Sequence, residues 1–99
     1  MTPTSVVWHL RALDDLENLR RHIAQDNPGA ADAVRDRIRE AINILPTYPH
    51  IGRPGRIAGV RELVVTGTPY VVPYLLAPSA RIEILAIIHG AMQWPKDLA

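Results

Sequence analysis

The chain contains no cysteine. That removes disulfide frameworks, thiolate zinc sites and cysteine nucleophiles together, and it is compatible with a reducing compartment. No stretch approaches the roughly 20 consecutive apolar residues of a membrane span, and the N-terminus has no basic segment followed by an apolar run. The expectation is a cytoplasmic protein with no membrane partner. Serine occurs only at Ser5 and Ser79, neither in a nucleophile-elbow setting. Gly52-Arg53-Pro54-Gly55-Arg56 lacks the Lys-Ser/Thr ending of a phosphate loop. His9, His22, His50 and His89 are scattered, without a His-x-x-x-His pair or a carboxylate cluster at ligand spacing, so neither metal nor cofactor is expected. Strong net charge is missing as well. The formal charge is +1, with Lys96 the single lysine against ten arginines. That balance gives little support to tight sequence-independent nucleic-acid binding, whereas arginine's planar fork suits carboxylates and phosphates alike.

What is present fits one domain in 99 residues. The β-branched and aromatic run within Thr4 to Trp8 reads as a first strand. Leu13, Leu16, Leu19 and Ile23 then recur at three to four residue spacing, with acids Asp14, Asp15 and Glu17 early and Arg20-Arg21-His22 late, which predicts a helix over 9–25. Asp26-Asn27-Pro28 breaks it and starts another: Asn27 suits the N-cap and Pro28 the first helical position, where its missing N–H costs nothing. Ala30, Val34, Ile38, Ile42 and Leu45 form one apolar face of this second helix, which Pro46 should end near Leu45. A Pro- and Gly-rich loop follows over 46–58. Strands are predicted over 60–66, 70–76 and 81–89, with turns at Gly67-Thr68-Pro69 and Ala77-Pro78-Ser79. The fold class is therefore α+β, in the order β-α-α-β-β-β, a helical hairpin on one face of an antiparallel sheet. Pro73 falls inside a strand and should mark a local break in pairing.

The last two strands are apolar on both faces. Ile82, Ile84, Ala86 and Ile88 alternate with Glu83, Leu85, Ile87 and His89, and Val71, Pro73 and Leu75 alternate with Val72, Tyr74 and Leu76. One helical hairpin covers one face, so the other needs loop 46–58, the C-terminal tail or a partner protein.

The ordered set Gly52-Arg53-Pro54-Gly55-Arg56, Arg61-Glu62-Leu63, Gly67-Thr68-Pro69-Tyr70 through Tyr74, Ile82 through Gly90, and Trp94-Pro95, placed after two helices, resembles the RelE/ParE superfamily of small bacterial toxins. The resemblance runs from Trp8 to Pro95. It implies an antitoxin partner whose C-terminal segment orders as it wraps the toxin, with DNA reached only through that antitoxin. It also implies one of two activities. RelE-like members cut messenger RNA on the ribosome without metal, using several basic side chains and a tyrosine, histidine or other acid placed across the sheet; ParE-like members lack that set and inhibit DNA gyrase.

In the cutting branch, basic residues alternate on the strand before the hairpin, another follows the hairpin tyrosine, and more follow the last strand. This chain has Arg61 alone of the alternating set, Val71 after Tyr70, and Gly90-Ala91-Met92-Gln93 after the last strand, with no base before Lys96. The resemblance therefore implies the ParE-like activity, a toxin that binds its target. The alternatives are a ribosome-dependent endonuclease reduced to Arg61, Tyr70 and His89 as cation, acid and base, and a non-toxic co-repressor working with its antitoxin. Arg53, Arg56, Arg61, Tyr70, Tyr74, Arg81, His89 and Trp94 are the expected partner-binding residues. Each also has a packing role open to it: the tyrosines and Trp94 as core or rim aromatics, His89 as a strand-end hydrogen-bonding group, Arg61 as a tie to Glu62, Glu83 or the loop.

Overall fold

The computed structural model describes residues 5–91, 94, 95 and 98. Both helices form within two residues of their predicted ends, α1 over Leu10–Ala24 and α2 over Pro28–Asn43. Asn27 caps α2 through its side chain, which accepts from the Ala30 N–H at 3.1 Å, and Pro28 opens the first turn. The acids of α1 lie past its first turn, so they answer the helix dipole less than their order implied, while Arg21 and His22 do lie in the last turn. No helix among the described residues is long and apolar enough to cross a membrane.

The strands are β1 (Ser5–Trp8), β2 (Arg53–Pro54), β3 (Val60–Val64), β4 (Tyr70–Leu76), β5 (Arg81–Ile84) and β6 (Ile88–His89). Thr4, with which the first strand was expected to begin, lies outside the described residues. The order β1-β5-β4-β3-β2 puts β4 at the centre, with β6 on the same side of it as β5. Two expectations need correction. The sheet is mixed, because β1 joins β5 in parallel, Val6 beside Ile82 and Trp8 beside Ile84. Loop 46–58 also contains β2, antiparallel to β3 with Arg53 opposite Glu62. A two-residue strand containing proline is legible only through its partner.

The predicted strand 81–89 is interrupted, and the cause is Pro73. Tyr74 pairs with Ile84 on one side of the break and Val71 with Ile88 on the other, so two residues of β4 face three of the partner. Proline has no N–H to give a central ladder. The Leu85 N–H still reaches the Pro73 carbonyl at 3.0 Å, while the Ile87 N–H, left without a strand partner, donates to the Asp15 carboxylate of α1 at 3.0 Å. The extra residue is a β-bulge, and it exchanges the faces of everything after it. Ile82, Ile84 and Ile87 pack under the helices with Ala12, Leu16, Ile38, Ile42, Val72 and Tyr74. Leu85, Ala86 and Ile88 turn to the other side. Unbroken alternation, which put Ala86 and Ile88 with Ile82, does not survive the bulge.

On that second face Leu85, Ala86 and Ile88 meet Val60, Leu98, Ile57, Leu75 and Trp94. Of the three covers open to the sequence, the loop supplies Ile57 and the tail Trp94 and Leu98.

Candidate functional site

The expected site residues separate into four groups. At one end of β4, Tyr70 faces His89 across the β4–β6 pair, their rings edge to face with centroids 5.7 Å apart. The His89 Nδ1 accepts the Ala91 N–H at 3.1 Å, which leaves Nε2 to carry the proton of the neutral ring. Burial pushes the Tyr70 phenol above its usual pKa, so it is a neutral hydroxyl at pH 7.

Arg61 does not join them. It lies opposite Tyr74, four β4 residues from Tyr70, a separation of about 13 Å at the usual strand rise. Its Nε donates to the Gly52 carbonyl at 2.8 Å and an Nη to the His50 carbonyl at 3.0 Å. Of the roles open to it, Arg61 takes that of loop anchor. Tyr74 works with it, and here a partner-binding expectation is overturned: Tyr74 is wholly buried. Its hydroxyl accepts the Gly52 N–H at 2.9 Å and donates to the Pro49 carbonyl at 2.8 Å. Gly52 is required there, since a Cβ would lie 2.6 Å from the Tyr74 ring.

The third group centres on Glu62, which the sequence reading placed in no functional role. It is the buried charged residue among those described, 3% exposed. One oxygen accepts from Arg53 at 3.1 Å, the other from the Arg56 backbone N–H at 2.9 Å and its Nε at 3.3 Å. Burial alone would raise the Glu62 pKa; the Arg56 N–H and the two guanidinium groups more than offset it and hold the carboxyl below its ordinary range. The Arg56 guanidinium lies 3.9 Å from the Trp94 ring centroid, a cation–π contact that ties the loop to the tail. The one signal for Glu62 in sequence was an acid inside an apolar strand, next to a loop with two arginines.

The fourth group stands at the opposite edge. Arg81 pairs with Glu83 at 3.1 Å, and Glu83 also meets His9 Nε2 at 2.8 Å, contacts that lower the Glu83 pKa, that of His9 most. Among the described residues no cluster of three His, Asp or Glu could hold a metal. Met92, Gln93 and Lys96, which bear on the missing bases, lie outside the described residues. A further arginine, unassigned by the sequence, sits on the β3–β4 turn: Arg37 Nε donates to the Thr66 carbonyl at 2.6 Å. It packs over Gly67, whose φ of +82° favours glycine, and a Cβ there would meet the guanidinium at 2.7 Å.

Residues 6–94 match the family described as the ParE toxin of the type II toxin–antitoxin system parDE. The chain is 43% identical over 98 residues to a Sinorhizobium fredii protein named as a toxin, Y4kP, covering 99% of this chain and all of that one. It is 42% identical over 86 residues to toxin RelE2 of Caulobacter vibrioides, covering 87% and 94%. Among solved structures it is similar to the chromosomal ParDE system of P. aeruginosa, with TM-score 0.78, 27% identity and coverage of 87% and 95%. It is also similar to the RelBE2 toxin–antitoxin complex of Mycobacterium tuberculosis, with TM-score 0.62, 25% identity and coverage of 89% and 99%.

Proposed function

Because the chain belongs to the ParE toxin family of type II toxin–antitoxin systems, we propose that it arrests growth in the cytoplasm by binding DNA gyrase, and that a cognate antitoxin neutralises it. The observation that carries this reading is the placement of Arg61. Metal-free RNA cleavage needs a cation beside the reacting phosphate as well as an acid and a base. Arg61, the cation expected for that role, is held on the carbonyls of Gly52 and His50, opposite Tyr74 and four β4 residues from Tyr70 and His89. Tyr70 and His89 then serve as an aromatic, partly polar contact surface, of the composition that protein interfaces favour.

The Tyr70–His89 contact is also what favours the endonuclease reading, since a neutral phenol and an imidazole are a usable acid and base. The two readings separate cleanly by experiment. Purified protein is assayed for loss of gyrase supercoiling and, separately, for position-specific transcript cleavage on purified ribosomes. Loss of supercoiling without cleavage is the expected result, with His89→Ala weakening inhibition only a few-fold. Cleavage abolished by His89→Ala, in a variant whose fold is intact, would replace the gyrase reading with the endonuclease.

A further inference from the structure

β1 ends the sheet on one side, and no strand among the described residues pairs with its outer edge. The His9 N–H donates to the Ile84 carbonyl at 2.9 Å, so by alternation Ser5 and Val7 also turn their backbone groups to β5, while the N–H and C=O of Val6 and Trp8 point outward. An edge of this kind is a template for another strand, and natural sheets guard it with charge, proline or a covering element. Ser5-Val6-Val7-Trp8 carries neither charge nor proline.

The side chains sort by the same alternation. Val6 and Trp8 pack against the core under the helices, whereas Val7, beside Glu83 on the second face, is 42% exposed. Leu10 and Leu13 follow one turn apart at the start of α1, 80% and 48% exposed, and Leu13 lines a hollow with Trp8. Three of the seven exposed large hydrophobic residues among those described therefore stand at this one edge.

We infer that β1 pairs with β1 of a second copy of this chain, antiparallel about a two-fold axis at Val7, joining two sheets into one. Such a pairing keeps each side chain opposite one on its own face only when the axis passes through a residue. With Val7 on the axis, Val6 lies opposite Trp8 of the partner subunit and Trp8 opposite the partner's Val6. Each pair exchanges both of its hydrogen bonds, which uses every outward backbone group of Val6 and Trp8, and each sets an aromatic ring against a β-branched side chain, a favourable cross-strand contact. The two Val7 side chains meet in the closer, non-hydrogen-bonded kind of pair. Charge also fits a copy of the same strand. β1 is neutral, and His9, paired with Glu83 at 2.8 Å, comes opposite Ser5 of the partner subunit, so the axis opposes no like charges. Strands this short give an interface at the small end, below about 1,200 Å², and the expected dissociation constant is about 1–100 μM.

The test uses the whole protein in sedimentation equilibrium over that concentration range. Val7→Lys sets two ammonium groups against each other at the axis and should raise the dissociation constant about tenfold or more. Because the chain has no cysteine, Val7→Cys supplies one thiol per copy. The paired Cα atoms would lie about 4.5 Å apart, inside the roughly 4.4–6.8 Å that a disulfide spans. A mild oxidant should therefore cross-link Val7→Cys into dimers and leave Val64→Cys, on β3 and 48% exposed, monomeric. Hydrogen exchange in the wild type should slow at the Val6 and Trp8 amides as concentration rises, a readout that stands even where a variant fails to fold. A wild type that stays monomeric at about 1 mM, or a dimer that Val7→Lys leaves intact, would overturn the inference. Equal cross-linking of Val7→Cys and Val64→Cys would reveal collision alone and overturn it too. Slowing of the Val6 and Trp8 amides only when the product of the adjacent short reading frame is added would assign the edge to that protein instead.

Discussion

Glu62 is a carboxylate whose surroundings stabilise the charged form, so its removal is felt through several groups at once. Glu62→Gln keeps the size but leaves Arg53 and Arg56 without their counter-charge, and we expect a loss of about 2–4 kcal/mol at pH 7, measured by denaturant unfolding. The pH dependence follows from the depressed pKa. The unfolded chain takes up the proton first as pH falls, so this stabilisation is fully present above the ordinary glutamate value of about 4.3 and is lost as pH drops through the lower folded value. As pH falls below the ordinary glutamate value, the wild type should therefore lose melting temperature more steeply than Glu62→Gln. Tyr74→Phe deletes one hydroxyl that serves two backbone groups, of Gly52 and Pro49. A cost of about 1–3 kcal/mol is expected, with faster hydrogen exchange at Gly52 as the specific sign. Neither residue's role could be read from sequence. An acid in a strand and a tyrosine in a hairpin look alike whether they face a partner or the core, until the register and the loop path are known.

At the scale of elements, what the sequence made legible was whatever local periodicity and capping decide. Leu16, Leu19, Ile38 and Ile42 repeat at helical spacing and are buried under the sheet, and Asn27-Pro28 marks the hairpin to the residue. β4 has its predicted bounds, 70–76. Pairing between distant segments was not legible: nothing in Val6-Val7-Trp8 states that it runs parallel to Arg81–Ile84, and nothing in Leu85-Ala86-Ile87 states that one residue is surplus. Pro73 gave the place of the disturbance but not which strand would carry it. The bulge depends on a helix residue, Asp15, for the Ile87 N–H. Asp15→Ala should cost about 1–3 kcal/mol by leaving that donor unpaired, and in NMR it should shift the His89 and Tyr70 ring signals although neither is hydrogen-bonded to Asp15.

For the molecule as a whole, the two apolar faces were visible in the sequence and the identity of the second cover was not, because the tail's apolar anchors, Trp94 and Leu98, are too few to show a period. Trp94 both packs on that face and receives the Arg56 guanidinium. Trp94→Ala should lower stability by about 2–3 kcal/mol and raise binding of a hydrophobic dye, measured beside Trp8→Ala as a comparison on the helix side. The candidate site was legible as a residue list but not as a place. Tyr70 and His89 meet, Arg61 turns to the loop, and Arg81 stands with Glu83 and His9 at another edge. The surplus residue opposite Pro73 also bears on how this chain can change in length. Deleting any one of Leu85, Ala86 or Ile87 would leave two residues facing two, so the strand could run straight with Ile88 still opposite Val71 and His89 still opposite Tyr70. Insertions and deletions elsewhere on the surface need only close a loop. Here, in the middle of a strand, a single codon lost in frame would leave both sides of the sheet in place and forfeit only an apolar side chain or the N–H that Asp15 accepts.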